Sequence, residues 1–245
     1  ERLIADGHTV HGIDLKDGND IRTYNFREKY DVIFHLAAQS SIPKCEADPV
    51  ESHTHNVLGT LRILEYAKKI NAKVIFSSSS SFMYPNIYGT QKFFGEMYIR
   101  LFYSIYGVRA VCLRYFNVFG ERQEISGEGN LVLPVFLRQY KTNKPFTIIG
   151  SGEQRRDFVY VKDVVDANIK AMEFLKSNEY DFFEVGTGEN FSVNEVADMI
   201  DKNHPRIYLM PRNEPFETKA NIVPGAERLQ WFPKTKIQDW IKTQL

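Results

Sequence analysis

Apolar residues recur along this chain in two alternating modes: short runs that suit buried strands, and longer stretches with one apolar face per turn that suit helices. Glu1 to Gly7 reads as the last turns of an amphipathic helix stopped by Gly7, and His8 to Asp14 as a short β-strand ending in an acid. Asp31 to Leu36 is an apolar strand, and 49–69 is helical with Val57, Leu61, Ile63 and Leu64 on one face. Lys73 to Ser77 predicts the next strand, Tyr88 to Tyr106 a second long helix, and Arg109 to Tyr115 a further buried strand. Strand, helix and strand in repeated units imply an α/β fold with a parallel sheet covered on both faces. A helix that opens the chain needs a strand before it to cross over to a parallel neighbour, so the natural protein is expected to begin upstream of Glu1.

Beyond Phe116 the pattern loosens. It predicts a helix near Leu131 to Thr142, short strands near Phe146 to Ile149 and Phe158 to Val161, a helix from Asp163 to Leu175, and a strand over Phe182 to Gly186. Ser192 then caps a helix running to about Asp201, with Glu195 three residues on completing a capping box. The tail from Arg206 mixes one strand with short helices. With no linker in sight, the second lobe is interleaved with the first.

Composition narrows the function classes. A chain of 245 residues with 43% hydrophobic residues buries a substantial core. Lys plus Arg and Asp plus Glu both number 31, so no net field draws nucleic acid or an anionic membrane, and neither is an expected partner. Cys45 and Cys112 make no disulfide framework and no metal motif; two buried thiols suit a reducing compartment. No apolar run approaches the roughly 18 residues of a membrane span, and no signal peptide is expected. A cytoplasmic protein without a metal is expected, and none of the histidines is given a role.

Three features carry chemistry. An acid at the end of the second strand of a dinucleotide fold, here Asp14, accepts hydrogen bonds from adenosine ribose hydroxyls and repels the 2′-phosphate of NADP, which favours NAD. Tyr88 and Lys92 stand four apart on a helix and share a face. A phenol with a pKa of about 10 is a poor base at neutral pH; a fixed cation beside it, together with the positive nicotinamide ring, would stabilise the phenolate and bring it into range. The serine run Ser77 to Ser81 leaves the C-terminal end of a buried strand, where ligands bind in open parallel sheets.

Motifs in this order resemble the NAD-dependent epimerase/dehydratase family of extended short-chain dehydrogenase/reductases, and within it the UDP-hexose and UDP-N-acetylhexosamine 4-epimerases. The matching stretches are His35 to Ala38, His55 to Thr60, Phe76 to Ser79, Tyr88 to Lys92, Arg114 to Gly120, Arg156 to Asp163 and Val185 to Gly188. The resemblance implies a Rossmann-like doubly wound parallel sheet with an interleaved smaller C-terminal substrate lobe. Residues 1–117 and 157–186 would form the NAD-binding domain, and 118–156 and 187–245 the nucleotide-sugar lobe. Ser79 would be the catalytic serine, Tyr88 the acid/base and Lys92 its partner. Leu36, Ala37, Ala38 and Asn56 would line the cofactor cleft, with Tyr115 and Phe116 near the nicotinamide. Asn117, Asn130, Leu131, Arg156 and Glu214 would hold the UDP-sugar. Arg156 suits a pyrophosphate clamp, because guanidinium grips phosphate oxygens bidentately.

The chain departs from the family in two places. Ser79 and Tyr88 are only nine positions apart, where the family has a considerably longer loop, so a segment between Met83 and Tyr84 is expected to be missing. Arg212 stands one residue closer to Glu214 than usual, which weakens its assignment to phosphate. Related 4,6-dehydratases place Asp-Glu directly after the serine; Ser80 and Ser81 stand there instead, so elimination of water lacks its catalysts. Epimerisation needs none: Tyr88 would take the O4 proton while hydride passes from C4 to NAD and returns to the other face of the 4-keto sugar. Thr218, where glucose-only relatives have a bulky Tyr, leaves room for an N-acetyl group. The alternatives are a nucleotide-sugar 4-ketoreductase, a 3,5-epimerase or uronic acid isomerase, and an NAD-binding structural protein on the same fold. The helices near 49–69 and 87–106 resemble those that pair family members into homodimers through a four-helix bundle.

Overall fold

The computed structural model describes residues 1–123 and 131–245. The first half runs α1 (Arg2–Ala5), β1 (Val32–His35), α2 (Ile42–Ala47), α3 (Pro49–His53), α4 (Gly59–Ile70), β2 (Lys73–Ser79), α5 (Ile87–Tyr106) and β3 (Ala110–Tyr115). There follow β4 (Asn117–Phe119), α6 (Val132–Lys141), β5 (Phe146–Ile149), β6 (Arg155–Arg156), β7 (Phe158–Tyr160) and α7 (Val161–Phe174). The chain closes with β8 (Tyr180–Val185), β9 (Phe191–Ser192), α8 (Val193–Asp201), β10 (Arg206–Leu209) and α9 (Ile237–Lys242).

Strands β1, β2, β3 and β8 form one parallel sheet in that order, with His35 opposite Phe76 and Phe76 opposite Cys112. Side chains alternate across it, as strand geometry requires. Val74, Phe76, Ala110 and Cys112 pack with Leu64, Ala67, Ile99 and Phe102 of α4 and α5. Ile75, Val111, Leu113 and Phe183 pack on the opposite face with Val164, Ala167 and Ala171 of α7 and with Trp231. Helices cover both faces of β2 and β3, which is why Val74–Phe76 and Ala110–Leu113 read as unbroken apolar runs, whereas β8, at the sheet edge, carries Asp181 and Glu184 and exposes Phe182. A second core joins Leu133 and Phe136 of α6, Phe146 and Ile148 of β5, Val196 and Ile200 of α8 and Ile241 of α9. The capping box of α8 is formed, with Ser192 and Glu195 each bonded to the other's backbone N–H.

Several boundaries differ from expectation. Residues 8–14 form no strand: no ladder partner lies beside them among the described residues, and most are exposed. The helix over 49–70 is continuous but widens to a π-type turn at Thr54–Leu58, which buries the consecutive residues Asn56 and Val57. Helix α2, capped by Ser41 with Pro43 in its first turn, is an addition to the predicted elements. Helix α7 starts at Val161, two residues before the expected Asp163, which lies in its first turn. The Asp163 carboxylate accepts from Lys234 N and Thr235 N and holds down the C-terminal tail.

Candidate active site

Ser79 ends β2, and its Oγ accepts from Ser81 N at 3.1 Å to start a tight turn over Ser80–Met83. Asn86 closes the connection from the other side. Its Oδ1 accepts from Gly89 N at 2.7 Å and caps α5, while its Nδ2 donates to Ser81 O at 2.7 Å and Tyr84 O at 2.9 Å. The turn lies so close to α5 that a Cβ on Gly89 would stand 2.3 Å from Ser81 O. Tyr88, in the first turn of α5, thereby comes within hydrogen-bonding reach of the Ser79 hydroxyl despite the short spacing.

Burial pushes the Tyr88 phenol up to about 12, with the Ser79 contact pulling the other way. Lys92, one helical turn on, is buried with Nζ 4.3 Å from the centre of the Phe76 ring. Burial drives its ammonium down to about 7, against the upward pull of Cys112 and Glu96. The two share a helix face, and without a cofactor burial is the largest influence on the phenol. Among the described residues, Lys92 makes no hydrogen bond or ion pair. A buried ammonium with its three donors unspent fits the hydroxyls of a cofactor ribose.

The loop after β1 exposes Leu36 and Ala37 and half-buries Ala38. Asn56 is buried and fully engaged: Oδ1 accepts from Gln39 N at 2.7 Å, and Nδ2 donates to Gln39 O at 3.1 Å and Gln91 Oε1 at 2.8 Å. It holds the loop from behind rather than presenting a spare amide. Tyr115 bonds Asn168, and burial raises its phenol. Phe116 is buried beside it, with its N–H donating to Val185 O. Asp14 is exposed and caps a turn, accepting from Lys16 N at 2.9 Å, so it is not brought to the end of a sheet strand.

On the far side of the cleft, Arg156 Nη2 donates to Glu214 Oε2 at 2.6 Å and Nη1 to Arg155 O at 2.8 Å. Arg212 also pairs with Glu214, at 3.3 Å. Tyr84, unmarked by any sequence motif, lies between the two halves, close enough to Arg156, Glu214 and Arg212 to feel their charges and bonded to Ser81. Asn117 donates from Nδ2 to Asp157 O at 3.0 Å. Leu131 is exposed at the start of α6, and Asn130 lies outside the described residues. Thr218 is buried, and its hydroxyl has no hydrogen-bond partner among the described residues.

Asp157 is a second residue that sequence reasoning passed over. Fully buried, it accepts from Thr187 N and Oγ1 at 2.7 and 2.8 Å, Gly188 N at 2.9 Å and Ala220 N at 3.1 Å. Gly186 is required beside it, since a Cβ there would stand 2.8 Å from Asp157 Oδ2. From between β6 and β7, this carboxylate ties those strands to the 187–188 turn and to Ala220, just after Thr218. The only sign in the sequence was its place inside the Arg156–Asp163 stretch.

Residues 1–186 match the model of the NAD dependent epimerase/dehydratase family. The chain is 35% identical to a putative UDP-glucose 4-epimerase of Methanocaldococcus jannaschii, over 94% of this chain and 80% of that protein. It is 29% identical to a UDP-glucose 4-epimerase of Mycolicibacterium smegmatis, over 98% of this chain and 91% of that protein. Among solved structures, the UDP-glucose 4-epimerase of Thermotoga maritima, with UDP-glucose, superposes with a TM-score of 0.88 at 27% identity, covering 99% of this chain and 91% of that one. The UDP-glucuronic acid 4-epimerase of Bacillus cereus, with UDP-glucuronic acid and NAD, gives 0.79 at 27% identity, covering 87% and 74%.

Proposed function

This chain belongs to the NAD dependent epimerase/dehydratase family, and from that premise we propose that it is an NAD-dependent nucleotide-sugar 4-epimerase. Its substrates would be UDP-glucose and UDP-galactose, or their N-acetylated counterparts. The observation that carries the reading is the meeting of Ser79 and Tyr88 at the end of β2, with Lys92 one turn on and Ser80 and Ser81, rather than acids, following the serine. Proton transfer at one oxygen is served, and elimination is not.

Bound NAD would accept the C4 hydride, return it, and place a positive ring beside Tyr88. Tyr88 would take the proton from the sugar O4 and give it back, with the Ser79 hydroxyl holding that oxygen in line. Its phenol starts at about 12, so catalysis requires charge brought close to it; protonated Lys92, bonded to the ribose, is the group of this chain placed to supply it. Leu36, Ala37, Ala38, Asn56, Tyr115 and Phe116 would border the cofactor, with Asp14 at its adenosine end. Arg156 would hold the pyrophosphate, with Glu214, Asn117, Asn130 and Leu131 around the nucleotide and Thr218 beside the sugar. On this reading residues 1–117 and 157–186 bind cofactor, and 118–156 and 187–245 bind substrate.

The exposed stripe Phe93, Met97, Leu101 and Ile105 on α5 favours a homodimer through a four-helix bundle with the 49–70 helix. No helix among the described residues is long and apolar enough to cross a membrane. The buried free thiols Cys45 and Cys112 support a reducing, cytoplasmic setting. The reading is tested with Tyr88→Phe. Epimerisation should fall by about 10²- to 10⁴-fold with the thermal midpoint little changed; activity within a few-fold of the unmodified protein would remove Tyr88 from the mechanism.

A further inference from the structure

A chain of buried polar groups anchors the 36–39 loop from behind. At the loop's start, His35 Nε2 is hydrogen-bonded to Thr60 Oγ1 at 2.9 Å, and Thr60 Oγ1 donates to Asn56 O at 2.7 Å. Thr60 has one hydroxyl proton, so the imidazole is the donor in the first bond. At the loop's end, Asn56 grips both backbone polar atoms of Gln39. Asn56 Nδ2 also donates to Gln91 Oε1, and Gln91 Nε2 donates to Ser52 Oγ at 2.9 Å and to Pro49 O at 3.3 Å. Gln91 immediately precedes Lys92 and is itself buried. Two side-chain amides with both ends engaged thus join the loop to the helix that carries Tyr88 and Lys92.

We propose that Gln91 is a positioning residue: acting through Asn56, it sets the Leu36–Gln39 loop at a fixed distance and angle from Tyr88 and Lys92, so that cofactor contacts on the two elements stay in register. The inference rests on the reading of this cleft as the NAD site. An apolar side chain of similar volume would fill the space but leave an Asn56 amide proton without its acceptor and the loop without its tie to α5.

The test is Gln91→Met in the full chain, with NAD affinity measured calorimetrically in the absence of sugar and amide exchange followed at Gln39. Ile99→Val, a fully buried change elsewhere on α5, serves as the control for simple loss of stability. Gln91→Met should weaken NAD binding about three- to tenfold and speed exchange at the Gln39 amide, while Ile99→Val keeps NAD affinity. Should Gln91→Met prove insoluble, Ser52→Ala removes one anchor of Gln91 and should weaken NAD in the same direction by a smaller factor. Unchanged NAD affinity in the Gln91 or Ser52 variant that is measured, or equal weakening by Ile99→Val, overturns the proposal. An unmodified protein that binds no NAD overturns it together with the cofactor reading. NAD binding is read without sugar, so a lack of epimerisation counts against the proposed activity and not against Gln91.

Discussion

Arg156 and Glu214, 58 positions apart in sequence, are bound to each other, Nη2 to Oε2 at 2.6 Å, with both side chains largely buried. Glu214 orients the guanidinium from one side, and Arg155 O fixes its other end. A Lys at 156 would keep the charge but lose the planar fork. Arg156→Lys should raise KM for the UDP-sugar about tenfold with a smaller change in kcat, and Glu214→Gln should act in the same direction more weakly. Steady-state kinetics check both; an unchanged KM in Arg156→Lys would take the pyrophosphate away from this residue.

Lys92 should show itself in the pH dependence of stability. Burial lowers its ammonium from 10.5 to about 7. Between those values the unfolded chain holds a proton that the folded chain has released, so this group makes stability rise with pH across that window. Below about 7 both states are protonated and the whole burial penalty stands. Lys92→Met should therefore melt higher than the unmodified protein at pH 6, with the margin shrinking toward pH 10. Calorimetric melting without cofactor at both pH values is the measurement, and a margin that grows with pH would contradict the assignment.

Gly89 should resist the usual helix rule. Replacing a helical Gly by Ala generally stabilises by about 1 kcal/mol. Here the new Cβ would press on Ser81 O and displace the turn that follows Ser79. Gly89→Ala is expected to lower the thermal midpoint and to reduce turnover, and a gain in midpoint would show that the turn yields without cost.

Much of the fold was legible because local rules and burial agree. The strands β1, β2 and β3 read as apolar runs because helices pack against the sheet, and Ser192 with Glu195 announced α8 through bonds made within four residues. Residues 8–14 misled because alternation alone forms no strand without a ladder partner. The helix expected from Asp163 begins two residues earlier, and the Asp163 carboxylate is taken by the tail, more than sixty residues away in sequence, which no local pattern announces. In the site, the four-residue spacing put Tyr88 and Lys92 on one face, as helical geometry dictates. It carried no information about burial, which sets both pKa values, or about the partners of Asn56 and Arg156, which come from distant segments.

The α5 stripe makes a separate prediction. Phe93, Met97, Leu101 and Ile105 recur every four residues and all are exposed. A charge at Leu101 would sit in the middle of any interface built on that stripe, where an unpaired ion is costly. Leu101→Glu should give a monomer by light scattering where the unmodified protein is a dimer; a dimer in both would place the interface elsewhere.

The central claim is the exchange of configuration at C4 without net oxidation or reduction. The protein with NAD is incubated with UDP-glucose and, separately, with UDP-N-acetylglucosamine, and sugar configuration is followed by proton NMR with no reductant added. The account predicts that the galacto epimer of at least one substrate accumulates to equilibrium while NAD stays constant, with the Thr218 position permitting the N-acetylated pair. Turnover that appears only when a 4-keto sugar is supplied together with NADH or NADPH would contradict it and identify a reductase instead.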